Sequence, residues 1–332
     1  MKRVFILAAA VSLALCSCKT KADAPVAEIC DEPQEATVYM TSDISPEGLV
    51  RIYEALGVPA TGRVAVKIST GEPTGHHYLQ PDLIKELVQK VNGTIVECNT
   101  AYNGRRRHSE EHWKVIEEHG FKAIAPVDIM DEEGEMQLPV RDTTYIKCDI
   151  VGSHLANYDF LINLSHFKGH QMGGFGGALK NQSIGVASSA GKAYIHSNGR
   201  NTDPDVWHNF TEAEHQDKFL ECMATAATAV ADHFGKNIIY INVMNNLSID
   251  CDCNGNPSAP KLKDVGILAS TDPVALDEAC YQLVINHPNS EGDDASELVS
   301  RINKQHGHHT IEHAEAIGLG TTKYHIVNID EK

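Results

Sequence analysis
Short runs of β-branched and aliphatic residues alternate with amphipathic helical stretches along most of this chain. GRVAVKIS (62–69), PDLIKELVQKV (81–91), GTIVECN (93–99) and SEEHWKVIEEHG (109–120) follow one another as strand, helix, strand, helix. That order predicts parallel strands with helices packed on the sheet faces. Ser45-Pro46 opens a helix that Gly57 stops, and Ser109 opens one that Gly120 stops, because a hydroxyl caps the first free amides and glycine accepts the left-handed exit. Further on, YDFLINLS (158–165) is a strand buried on both faces, and Thr211 with Glu214 forms a capping box ahead of a long helix ending before Gly235. NIIYINVM (237–244) and DVGILAS (264–270) are strands, Asp272-Pro273 opens a helix to about Val284, and KYHIVNI (323–329) is the last strand. Folding starts near Ala36. The expected class is α/β with mainly parallel sheets, and a boundary near residues 140–155 divides it into two packed halves, 36–150 and 151–332.

The first residues depart from this pattern. MKRVFILAAAVSLALCSC carries two basic residues and an apolar run, Val4 to Leu15, which is too short for a permanent span and reads as a lipoprotein signal peptide, residues 1–18. Ser17 places a small residue before Cys18, the expected lipidation site, whereas bulky Leu15 precedes Cys16. Residues 19–35, rich in Ala, Pro and acidic side chains, are a flexible spacer. The expected location is the bacterial cell envelope, facing the periplasm, with the membrane reached through the lipid anchor. A formal charge of -17, from 45 acidic against 28 basic residues, argues against nucleic acid as a partner. Seven cysteines follow the signal, Cys30, Cys98, Cys148, Cys222, Cys251, Cys253 and Cys280, an odd number, so at least one is unpaired or bound to something else.

Chemistry concentrates in residues 166–199, HFKGHQMGGFGGALKNQSIGVASSAGKAYIHSNG, directly after a strand. Open α/β sheets bind ligands beyond the carboxyl ends of their strands. Gly173, Gly174, Gly176 and Gly177 let backbone approach a ligand and expose amides to an anion. His166, Lys168, His170, Lys180 and His196 supply titratable groups and metal ligands. Asp250-Cys251-Asp252-Cys253-Asn254-Gly255 opens like a calcium loop but has Lys261 at the twelfth position, where a glutamate is needed. Its two sulphurs suit a soft metal, a reducible disulfide, or an Asx-rich turn tied to a distant cysteine. His309-Thr310-Ile311-Glu312-His313 matches a zinc pattern formally but reads as a solvated helix face. Arg105 to Arg107 is a basic cluster suited to a carboxylate or phosphate, and a solvated turn is an equal account.

HFKGHQMGGFGGALKNQSIG, with VAVKISTGE, ECNTAYNGRR, DIMDEEGE, DCDCNGNP and GILASTDPVALDEA, resembles the bacterial domain-of-unknown-function 362 family, whose members are often labelled iron-sulfur centre proteins. Many members carry a ferredoxin segment with C-x2-C-x2-C-x3-C spacing, which this sequence lacks. The array His170-x9-Lys180-x15-His196 around GGFGGALK is similar, more distantly, to the nickel-pincer lactate racemase family. That resemblance implies a lactate-racemase-like fold, with His170 as acid or base, Lys180 holding the pincer nucleotide and His196 on nickel; the family's Arg before the Lys is Leu179 here.

A lipoprotein crosses the membrane unfolded, so an iron-sulfur cluster or pincer nucleotide assembled inside is harder to deliver than a divalent ion captured afterwards. The expectation is therefore a metal-dependent enzyme acting on a small anionic metabolite by proton abstraction or redox chemistry. His170, Lys180 and Lys168 are its catalytic candidates, His196, His166, Cys251 and Cys253 its metal ligands, and the four glycines with Arg105 its anion site. The rivals are a metal-binding or electron-transfer module and a solute-binding lipoprotein.

Overall fold
The computed structural model describes residues 35–206 and 215–331. The signal peptide, Cys18, the spacer, and the Thr211 to Glu214 box lie outside the described residues. One mixed eight-stranded sheet forms the frame, in the order β12-β1-β11-β10-β7-β2-β3-β4. Its strands are β1 (Ala36–Thr41), β2 (Val64–Lys67), β3 (Thr94–Glu97), β4 (Val127–Ile129), β7 (Phe160–His166), β10 (Ile238–Met244), β11 (Gly266–Ser270) and β12 (Tyr324–Asn328). Neighbours pair in parallel except at β11, which runs antiparallel to both β1 and β10. Strands from before and after residues 140–155 enter this same sheet. That stretch holds β6 (Asp149–Gly152), paired antiparallel with β5 (Glu135–Leu138).

The period-two alternation of the strands sorts side chains onto two faces. Phe160, Ile162 and Leu164 of β7, with Ile239, Ile241 and Val243 of β10, meet helices α1 (Pro46–Ala55), α2 (Pro81–Lys90) and α3 (Ser109–Glu118). Leu161 of β7 and Tyr240 and Met244 of β10 face the other layer. There lie α4 (Ala178–Ser183), α6 (Gln216–Phe234), α7 (Pro273–Ile285), α8 (Ser296–Lys304) and α9 (His309–Ala316). Ser45 caps α1 by accepting from the Gly48 amide at 3.0 Å, as expected. Ser109 does not cap α3: His108 occupies that position without a side-chain cap, and the Ser109 hydroxyl accepts from Asn99 Nδ2 at 2.9 Å instead. Asp272 caps α7 by accepting from the amides of Val274 and Ala275. Among the described residues no helix is long and apolar enough to cross a membrane.

Candidate functional site
The Gly-rich stretch after β7 is largely regular structure. It makes a hairpin of β8 (Lys168–His170) and β9 (Gly174–Gly176), then α4, then α5 (Ser189–His196). Gly169 is required here, since a Cβ on it would lie 2.3 Å from the Ile249 carbonyl oxygen. That close approach, with the Gly169 amide donating to Ser248 at 2.9 Å, seats the 248–253 segment on the hairpin. Gly177 is required for a different reason: a Cβ would meet the Asp277 carboxylate at 2.4 Å. Asp277 accepts from the amides of Ala178 (2.8 Å) and Leu179 (2.9 Å) and from Asn242 Nδ2 (2.7 Å). The first amides of α4 are thus satisfied by protein, so they are not open to an anion, and Gly177 serves close packing against Asp277. Gly176 and Gly177 border the cavity described next; Gly173 and Gly174 do not.

At the carboxyl ends of β2, β3 and β7 lies a cavity of about 330 Å³. His166, Lys168, His170, Lys180, His196, Cys251 and Cys253 all line it, as the sequence expectation requires. Arg105 does not. It is an exposed side chain paired with Glu111 (3.2 Å) and Glu118 (2.7 Å) on α3, and its neighbour Arg106 lines the cavity in its place. Arg106 is buried, donating to Glu72 (2.8 Å), Glu97 (3.2 Å) and the Tyr102 hydroxyl (2.9 Å). Glu97 also accepts from Lys67 at 2.8 Å. Burial pushes the Glu97 carboxyl up, but Lys67 and then Arg106 outweigh it and hold the group at about 2.

The lysines differ in how they are compensated. Lys67 is paired with Glu97, Lys192 donates to the Ala187 carbonyl at 2.5 Å, and Lys168 is ion-paired with Asp252. Asp252, between the two cysteines, also faces His166 Nδ1 at 3.3 Å. His166 Nε2 donates to the Asn245 carbonyl at 2.6 Å, so both of its ring nitrogens are occupied. These contacts make His166 and Lys168 supports of the 248–253 segment and argue against the metal-ligand and catalytic roles expected for them. Lys180 has neither a hydrogen bond nor an ion pair among the described side chains. Burial, then Lys67, lowers it to about 8 against the opposing pull of the Asp252 carboxylate, which is itself ion-paired with Lys168, so at neutral pH it is a largely charged cation.

The two remaining histidines are both kept neutral by burial, His170 well below its ordinary value and His196 at about 4. Their backbone contacts fix opposite tautomers. His170 Nδ1 accepts from the amides of Met172 (3.2 Å) and Gly173 (2.8 Å), which places its proton on Nε2. His196 Nδ1 faces the Lys192 carbonyl at 2.7 Å and donates to it, which puts its proton on Nδ1. Cys251 and Cys253 are joined as a disulfide. Each of these sulphurs, together with a ring nitrogen of His170, lies within 4.8 Å of the others, a set that could hold a metal ion. A metal on Nε2 of His170 would require the ring proton to move to Nδ1. His196 is not part of that set. Cys98, Cys148, Cys222 and Cys280 are free.

Fold and site together define an α/β protein with a ligand cavity at the strand ends, rich in lysine and histidine and edged by a Cys-x-Cys pair. The chain belongs to the family described as Domain of unknown function (DUF362), whose model matches residues 64–282. No curated protein matches the chain. Among solved structures it is similar to the lactate racemase apoprotein from Thermoanaerobacterium thermosaccharolyticum, with 16% identity and a TM-score of 0.36 over 64% of this chain and 51% of that one. A second is a Thermotoga maritima protein, a Northeast Structural Genomics Consortium target, with 13% identity and a TM-score of 0.35 over 71% of this chain and 57% of that one. The chain therefore spans little more than half the length of either, and these likenesses carry no reading of the site.

Proposed function
We propose that this protein is an enzyme that acts on a small anionic metabolite by abstracting a proton next to a carbonyl or carboxylate. The observation that carries the proposal is Lys180, a buried cation that forms no ion pair among the described residues, in a cavity of small-metabolite size. A carboxylate or phosphate there supplies the missing charge. Nε2–H of neutral His170 donates to the substrate oxygen on which negative charge develops. His196, which lines the same cavity and is kept neutral by burial, is the group assigned to take the proton, and an anion in the cavity raises its basicity. Calorimetric titration with a panel of small carboxylates and phosphates, and solvent-deuterium exchange into those that bind, tests this assignment. Lys180→Ala should lose binding, while His170→Ala and His196→Ala should keep binding and lose exchange. Lys180→Arg keeps much of the function if Lys180 only pairs with the anion, as proposed, and loses it if Lys180 is itself the base. Binding that is unchanged in Lys180→Ala would sink the proposal.

A second reading makes the protein metal-dependent, and the observation favouring it is the set of His170, Cys251 and Cys253. A divalent ion of unassigned identity fits those donors better than an iron-sulfur cluster, for which three ligands are too few. We also propose, from the sequence, that the domain is tethered through Cys18 to the outer side of a bacterial membrane. Cys18→Ala should leave an unprocessed precursor, and the same result from Cys16→Ala instead would move the site.

A further inference from the structure
The two sulphurs beside His170 have two exclusive uses. Joined to each other, as here, they carry no thiolate and cannot ligate a metal. In the disulfide form both sulphurs lie within 4.8 Å of an imidazole nitrogen, and reduction turns them into two thiols that can ionise there. We propose that Cys251, Cys253 and His170 form a binding site for a soft, thiophilic metal ion that exists only in the reduced protein, so that the thiol poise of the surroundings opens and closes it. The proposal rests on the metal reading of this same site.

Three placements support it. The two cysteines border the cavity itself, so a small thiol that enters the cavity reaches the bond. Asp252 between them is held by Lys168 and His166 on the underlying β7–β8 segment. The Gly169 amide and Ser248 carbonyl tie that segment to the stretch before the pair. The backbone carrying the cysteines is thus fixed by contacts that do not involve the sulphurs, and reduction leaves them side by side.

The step balances with a small dithiol as reductant. A thiolate of the dithiol attacks one sulphur, the Cys251–Cys253 bond breaks, and a mixed disulfide forms. The second thiol of the reagent displaces the protein sulphur, which leaves two protein thiols and one oxidised cyclic reagent. Metal entry then releases the two thiol protons, while the single proton of neutral His170 shifts from Nε2 to Nδ1, which gives up its acceptor contacts with the Met172 and Gly173 amides. In the metal-bound state His170 no longer has an Nε2–H for a substrate oxygen.

The test uses the full folded domain and cadmium ion as probe. Protein is prepared oxidised, and reduced with dithiothreitol that is then removed without air, and the thiols are counted by alkylation and mass spectrometry. Binding is followed by the thiolate-to-cadmium absorption band and by equilibrium dialysis. Reduction should expose two more thiols than the four free cysteines described here, plus any from cysteines outside the described residues. Reduced wild type should then bind one cadmium at least tenfold more tightly than oxidised wild type. The oxidised form and a Cys251→Ser/Cys253→Ser double variant, which controls for the other thiols, should bind alike. His170→Ala should weaken the reduced site about tenfold without changing the thiol count. If reduced wild type binds no better than the double variant, both the metal reading and the gate fall. Equal binding by oxidised and reduced wild type removes the gate alone. A bond that resists dithiothreitol in the folded protein also overturns the gate. Anion titration of the oxidised protein reads Lys180 independently of every one of these outcomes.

Discussion

Asp277 offers a sharp test of how the site is held. Its carboxylate is fully buried and accepts from two backbone amides at the start of α4 and from Asn242. Asp277→Ala strands the two buried amides of Ala178 and Leu179, each costing about 1–3 kcal/mol, while Asn242 keeps its contact with Cys280 Sγ. Burial raises Asp277 from 3.8 to about 6 even with these hydrogen bonds in place. The loss at pH 7 is therefore about 2–6 kcal/mol from the two amides at most. The sign of its pH dependence follows from the raised pKa. Asp277 contributes most to stability below pH 4 and loses that contribution as pH rises through about 6. Wild type should exceed Asp277→Ala by about 1 kcal/mol more at pH 5 than at pH 7.5. Urea denaturation at the two pH values measures both quantities. Because α4 carries Lys180, anion affinity should fall as well, by about tenfold or more. A variant within about 0.5 kcal/mol of wild type, or a gap that widens as pH rises, would refute this account of the α4 anchor.

Two further substitutions separate neighbouring effects. Asp149 is fully buried, neither of its carboxylate oxygens has a well-formed hydrogen bond among the described residues, and burial raises it to about 8 against the weaker opposing pull of Lys192 and the Ile150 amide. Its stabilising contribution is complete below pH 4 and is lost as pH rises through 8, so Asp149→Asn should raise stability by about 1–3 kcal/mol at pH 8 and much less at pH 5, read by thermal denaturation. Arg106→Ala leaves Glu72 buried without its cation and Glu97 with Lys67 alone and should cost about 3–5 kcal/mol. Arg105→Ala, which removes only exposed pairs, should stay within about 1 kcal/mol, and both are read by urea denaturation.

The frame was legible because its signals are local. The runs at 62–69, 93–99, 158–165 and 237–244 are β-branched and short, and each became a strand where expected. The reversed direction of β11 was not legible, since strand direction depends on which partner a segment meets, and DVGILAS looks the same either way. Residues within 166–199 border the cavity, and Gly173, Gly174, Gly176 and Gly177 were assigned to ligand contact. Of these Gly177 is fixed by Asp277, and Gly169, not among them, by Ile249, partners 100 and 80 positions further along the chain, which no local pattern reveals. The same distance hid Asp252, whose place beside Lys168 and His166 comes from tertiary contact. Arg105 and Arg106 are equivalent in composition, and only the turn before α3 decides which one points inward. The signal that could have found Arg106 is the number of carboxylates waiting after neighbouring strands, Glu72 and Glu97 among them.

The central claim is that Lys180 supplies the charge that holds an anionic ligand. Its most direct test is the affinity of wild type and Lys180→Arg for one bound carboxylate, measured by calorimetry from pH 6 to pH 10. With Lys180 lowered to about 8, wild-type affinity should be flat below pH 7 and fall about tenfold for each pH unit above 8, while Lys180→Arg, charged throughout, should show no such fall. Parallel pH profiles for the two proteins would contradict the claim.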